Sequence, residues 1–276
     1  MRKVTHYRAP GPAVPARDAS LTQLVSKIDG WSSAIHTLTA TVDLEPRAGS
    51  AYSGVIKEYH DVRGFVLLQT PSMIRLQGQA PVVRTTIFDM VSNGEEFRLY
   101  IPPKGEFIVG KTSLQHPAKN ALENLRPQHI LQALIVPPID ADTETAILEN
   151  VDHRADGKNY YVVIIIKETG DHKAILLRKE WYDRQDLELV RTQFYDADGT
   201  CTEDVHYSDY EDFGTIHYPA HIELSRPVDD YEVSITIEKA TFNAPLPAEK
   251  FDLQKPEGVE LLDLNASEPK AQPNDQ

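Results

Sequence analysis

The chain has 276 residues, a mass of 31.0 kDa, a net charge of −14 and a pI near 5.1. Phosphate binding needs clustered Lys and Arg, so this charge excludes nucleic acid as a partner. The lone cysteine, Cys201, excludes an intrachain disulfide, and no apolar run reaches the roughly 18 residues of a membrane-spanning helix. Hydrophobic residues make up 41%, which suffices for a sizeable core, and the absence of a second composition regime predicts one folded domain over 18–264.

Residues 1–17 contain Pro10, Pro12 and Pro15 and lack the apolar segment of a signal peptide, so they read as an extended tether. After Asp18, the residues Leu21, Leu24, Val25, Ile28, Trp31 and Ile35 recur at helical spacing behind Ser20, a natural cap. This predicts an amphipathic helix near 20–35. Its only cation is Lys27, which suits a helix plugging a sheet better than one lying on a membrane. Residues 37–45 then alternate as a strand.

The stretch 53–111 organises the rest. It holds about six short β runs separated by turn signals, among them Thr70-Pro71-Ser72, Asn93-Gly94 and Pro102-Pro103-Lys104-Gly105. Connections this short join antiparallel neighbours. Phe97, Leu99 and Ile101 share one face, opposite Glu96, Arg98 and Tyr100; Ile74 and Leu76 oppose Arg75 and Gln77. One face is thus apolar and the other wet. Phe65–Leu68 is apolar on both faces and reads as central or doubly covered.

A helical insert follows, with one short helix predicted at 118–125. A second begins at Pro127 and carries Ile130, Leu131, Leu134 and Ile135 before Pro137-Pro138. Two such helices suit a lid or a core closure equally well. Strands return at 146–151, 160–167, 174–183, 187–195, 205–210, 216–224 and 231–242, with 160–167 expected to be central because it is apolar on both faces. Residues 265–276 are polar and read as a disordered tail. The fold class is therefore mainly β: a single curved antiparallel sheet, an open half-barrel of about eleven strands, wrapped on helices.

No catalytic residues are proposed. His217 and His221 stand four apart on a strand, about 13 Å, too far to share one zinc. Asp196-Ala197-Asp198-Gly199 has its glycine too early for a calcium loop and reads as a hairpin turn. Asp209, Glu211 and Asp212 read as a solvated edge. Cys201 has no basic neighbour to activate it. The sequence gives no sign of a metal or cofactor, and the reading is non-enzymatic.

Three segments carry a resemblance. Ile28-Asp29-Gly30-Trp31 through Ile35–Ala40 is similar to the opening of the bacterial outer-membrane lipoprotein-sorting family, the LolA/LolB-like proteins. Val91–Pro102 resembles that family's strand–turn–strand hairpin, and Phe251–Val259 resembles its closing segment. The resemblance implies an open barrel with an apolar cavity and a helical lid. It also implies binding of lipid or lipoprotein acyl chains on the periplasmic side of the outer membrane. The proline-rich start resembles the spacer behind a lipid-modified cysteine, so an N-terminal lipid anchor is implied, although this sequence lacks the cysteine. One departure is Thr70 before Pro71, where the family's carrier has arginine; the carrier's energy-coupled transfer is therefore not implied. The expected acyl-binding residues are Leu68, Ile74, Leu76, Phe97, Leu99 and Ile101 on the sheet, with Ile130, Leu131 and Leu134 in the lid. The alternative is an envelope scaffold whose core is filled by its own side chains.

Overall fold

The computed structural model describes residues 16–48, 57–58, 62–112, 126–153 and 158–267. The chain opens with α1 (Leu21–Ala34) and β1 (Thr37–Ala48). It continues through β2 (Lys57–Glu58), β3 (Val62–Gln69), β4 (Met73–Gln79), β5 (Thr86–Ser92), β6 (Glu96–Ile101) and β7 (Glu106–Lys111). The helix α2 (Pro127–Leu134) precedes β8 (Thr145–His153), β9 (Lys158–Gly170), β10 (Lys173–Asp183) and β11 (Leu189–Tyr195). β12 (Cys201–Phe213), β13 (Ile216–Arg226), β14 (Tyr231–Phe242) and a short β15 (Glu260–Asp263) complete the chain. The helix expected at 118–125 and most of the terminal tail lie outside the described residues.

One open, curved sheet results, in the order β15-β7-β6-β5-β4-β3-β1-β14-β13-β12-β11-β10-β9-β8, with β2 pairing β1. Two meanders, β1–β7 and β8–β14, meet where β1 pairs antiparallel with β14. The strand count is a correction. Among the described residues fourteen strands lie along the path rather than about eleven; β15, four residues with Glu260 and Asp263 at its ends, is the one that no run in the sequence announced. β15 also breaks the antiparallel expectation, since it pairs parallel with β7. A second correction concerns 160–167: β9 is next to the sheet's edge, not central. Its β-branched residues report cover on both faces instead. Tyr161, Val163 and Ile165 are buried with the helices, while Tyr160 packs edge-on against Trp181 at 5.8 Å on the other side.

Alternation dictates the core. Leu38, Ala40, Val42 and Leu44 of β1 point inward between Thr39, Thr41 and Asp43, and β3 and β4 keep the same two-residue period. These inward rows and the buried faces of α1 and α2 form a single cluster. Ser20 caps α1 reciprocally with Gln23: the Gln23 amide N–H donates to Ser20 Oγ at 3.3 Å, and the Ser20 N–H donates to Gln23 Oε1 at 2.8 Å. Two glycines sit where neighbouring side chains leave no room for a Cβ. Gly64 and Gly78 face each other across β3 and β4, and Phe88 lies beside Gly78 on β5. A Cβ at Gly78 would sit 2.3 Å from the Phe88 ring, so the ring occupies the room a side chain would need.

The chain after β14 returns across the outer face. Phe251 and Leu253 are buried there, and Leu253 joins Val91 and Phe107 in a small second core. Arg75 donates to the Lys250 carbonyl at 2.9 Å and to both Asp89 carboxylate oxygens at 3.0 and 2.7 Å. The closing segment is thereby fastened to the strands whose inner faces carry the expected site.

Candidate functional site

The inner face of the sheet brings all nine sequence-predicted residues into one layer. Leu68 pairs with Leu38 on one side and Ile74 on the other, while Leu76 pairs with Val66 and Met90. Leu99 lies between Met90 and Ile108, with Phe97 and Ile101 flanking it along β6. The helix α2 packs across β4, β5 and β13 and places Ile130, Leu131 and Leu134 against this surface. All nine are at most 6% exposed, and all belong to the same continuous cluster.

Polar contacts hold α2 down at both ends. At its start the Arg126 guanidinium lies 4.8 Å above the Phe97 ring, and burial lowers its pKa. His129 contacts Glu203, and Arg226 Nη1 lies 2.6 Å from Glu203 Oε1 and 2.9 Å from His129 Nδ1. Arg226 Nε donates to Asp229 at 2.6 Å. At the helix end, the buried Tyr218 hydroxyl donates to the Leu134 carbonyl. Beyond α2, Arg178 donates to the Pro137 and Pro138 carbonyls at 3.2 Å each and to Glu180 at 2.9 Å. Burial pushes the Glu180 carboxyl up despite Arg178 and the Tyr182 hydroxyl, which donates to it.

Sequence reasoning missed His129, Glu203, Arg226, Arg178, Glu180 and Tyr218. A signal existed. Glu203 shares its phase with Val205 and Tyr207, Arg226 with Ile222 and Leu224, and Glu180 with Tyr182; an ionisable residue in the inward phase of an alternating strand is destined for burial and needs a partner.

The apolar half and the polar half of the inner face are separate. β1 and β3–β6 turn mainly aliphatic and aromatic carbon inward, whereas β10–β14 add Arg178, Glu180, Tyr182, Thr192, Glu203, Tyr207, Arg226 and Tyr231. α1 reaches the second half with Trp31, whose ring centre lies 5.7 Å from Tyr218 and 6.2 Å from Tyr207. Burial raises the phenol pKa values of Tyr207, Tyr218 and Tyr231, so these hydroxyls stay protonated.

The outer face carries clefts rimmed by charged residues. One of about 480 Å³ is lined by Asp183, Asp186, Glu188, Asp209, His221 and Glu223; another, of about 320 Å³, lies among Glu45, Arg47, Asp204 and Glu232. His217 takes Asp212 at 2.6 Å and Glu188 at 3.5 Å, while His221 takes Thr236 and Glu223. The two histidines thus have separate partners, and no metal-holding group of His, Cys, Asp and Glu occurs among the described residues. Asp196–Gly199 is a hairpin turn: Asp196 Oδ1 accepts from the Asp198 and Thr200 N–H groups at 3.0 and 2.9 Å, and Gly199 takes φ +81°.

A single open sheet with a helix-covered inner face has solved counterparts. A LolA superfamily protein from Nitrosomonas europaea superposes with a TM-score of 0.53 at 12% identity, over 86% of this chain and 99% of that one. The fold is LolA-like. A DUF1329 family protein from Desulfovibrio piger gives a TM-score of 0.53 at 13% identity, covering 83% of this chain and 94% of its own. A Vibrio parahaemolyticus domain described as an outer membrane lipoprotein-sorting protein gives 0.50 at 12% identity, with the same coverage. No family model and no curated protein matches the sequence. The LolA-like sheet is therefore shared at the level of backbone architecture.

Proposed function

We propose that the protein is a non-enzymatic binder of acyl chains in the cell envelope, acting in lipoprotein sorting or lipid transport. One observation carries the reading: Leu68, Ile74, Leu76, Phe97, Leu99 and Ile101 form a continuous apolar surface, and the two-turn helix α2 lays Ile130, Leu131 and Leu134 on it. Lifting α2 would expose that surface to a chain of methylenes, each gaining about 0.8 kcal/mol on leaving water. A dozen such groups bind without any polar catalytic residue. The LolA-like fold of solved neighbours, one of them described as an outer membrane lipoprotein-sorting protein, supports the same reading. On this reading α2 is a lid, and the protein works on the periplasmic side of the outer membrane.

A second reading is favoured by a specific observation. The nine residues are fully packed against helices and neighbouring strands, as in a scaffold whose core is filled by its own side chains. Native mass spectrometry of protein purified without detergent separates the two. The acyl-binding reading predicts a bound species of lipid mass that organic extraction removes. A ligand-free mass in every preparation, from a protein that stays folded and takes up no alkyl probe, favours the scaffold.

A further inference from the structure

The polar half of the inner face holds an unusual set of atoms. Trp31 Nε1, Thr192 Oγ1, Glu203 Oε2, Tyr207 Oη and Tyr231 Oη are all buried and make no hydrogen bond among the described residues. Thr192, Glu203, Tyr207 and Tyr231 are at most 3% exposed. A buried polar group left unpaired costs about 1–3 kcal/mol, and native proteins keep few of them. Here five lie on one side of one layer.

Their placement is ordered. Tyr231 pairs in register with Arg226, and Arg226 reaches Glu203 through the other carboxylate oxygen, Oε1. Thr192 pairs with Val205, midway between Glu203 and Tyr207 on β12. Thr192 and Tyr207 lie within reach of each other, so each hydroxyl can turn to the other or to a ligand, while Trp31 Nε1, Glu203 Oε2 and Tyr231 Oη have no such neighbour. Trp31 brings its indole against Tyr207 from α1. The set offers one N–H donor, three hydroxyls that donate or accept, and one carboxylate oxygen that accepts.

We infer that Trp31, Thr192, Glu203, Tyr207 and Tyr231 form a polar pole of the binding face, which takes the neutral hydrogen-bonding linkage of an acylated ligand (an ester, amide or hydroxyl group). This inference rests on the acyl-binding reading and specifies its ligand. The hydrocarbon lies on β3–β6, and the linkage lies on β11, β12 and β14. A bare alkane leaves the hydroxyls and the indole unpaired. A fatty-acid carboxylate accepts from the indole and the hydroxyls but gives Glu203 Oε2 no donor. A neutral acylglycerol satisfies both requirements, and a site built for hydrogen bonds discriminates strongly against an analogue that lacks them.

The test compares three pyrene-labelled probes: an alkane, a fatty acid and a diacylglycerol. For the parent we expect the diacylglycerol to bind at least tenfold more tightly than the other two. Tyr231→Phe, Tyr207→Phe and Thr192→Val remove the hydroxyls with little change of volume. Each should lower the diacylglycerol-to-alkane affinity ratio severalfold, and the Tyr207→Phe/Tyr231→Phe double variant should bring it close to one. Circular dichroism establishes folding, and any one variant that fails to fold leaves the others to carry the measurement. A parent that binds alkane as well as diacylglycerol, or variants that keep the parent's ratio, overturns the polar pole while leaving acyl binding intact. A parent that binds none of the three overturns both.

Discussion

At the residue scale, charge pairs decide how the sheet responds to pH. Asp204 on the outer face is half-enclosed, and burial alone would raise its pKa; hydrogen bonds from Arg191 and His206 reverse this and bring it to about 2. The Arg191 contact is bidentate, with Nε donating at 2.7 Å. Because the folded pKa lies below the unfolded one, the pair's stabilisation is fully present above the unfolded value of 3.8 and is lost as pH falls toward 2. Discounted for solvent screening, it amounts to about 1–2 kcal/mol. Asp204→Asn should therefore be less stable than the parent at pH 6, with the gap closing between pH 4 and pH 2. Urea unfolding across that range measures it, and a gap independent of pH contradicts the assignment. Tyr218 gives a second test. Its hydroxyl is the polar tie between β13 and the last turn of α2, so Tyr218→Phe should cost about 1 kcal/mol and speed hydrogen exchange in 127–134 more than in β13. Equal protection of α2 in both proteins would show that the tie is dispensable.

At the element scale, what could be read from the chain depended on period and punctuation. The α1 cap, the Asn93-Gly94 hairpin and the apolar face of β6 were legible because each is a local pattern. Asn93 Oδ1 indeed accepts from both the Glu95 and Glu96 N–H groups at 2.9 Å, and Gly94 takes φ +98°. The edge position of β9 was not legible, because apolarity on two faces reports cover rather than order in the sheet. Nor was the parallel pairing of β15, which depends on where the closing segment crosses the outer face. The close approach at Gly78 is also non-local, since only the sheet brings Phe88 over it. Gly78→Ala should force that ring aside and cost about 1–3 kcal/mol by overpacking, lowering the melting temperature by several degrees in a chain of this size. Thermal unfolding of the variant beside Gly30→Ala, where a Cβ meets nothing within 4 Å, provides the control. Equal melting temperatures would contradict the close approach.

At the scale of the whole molecule, two meanders joined at β1 and β14 make one concave surface, with apolar strands on one side and buried polar residues on the other. The nine expected residues were legible because two-residue alternation on β3, β4 and β6 and helical spacing on α2 both point inward. The polar residues opposite them were hidden, since a single Glu203 or Arg226 in a strand reads as solvated until its phase is compared with Val205 or Leu224. On the acyl-binding reading this surface takes a hydrocarbon chain beneath α2. The most direct measurement is uptake of a pyrene-labelled alkyl probe by the parent, by Leu99→Asp and by Leu131→Ser, with folding followed by circular dichroism. The parent should take up the probe. A folded Leu99→Asp should lose most of the affinity, because binding would desolvate the new charge, and Leu131→Ser should bind more weakly with little loss of stability. A parent that takes up none, or a folded Leu99→Asp that binds as the parent does, would contradict the claim.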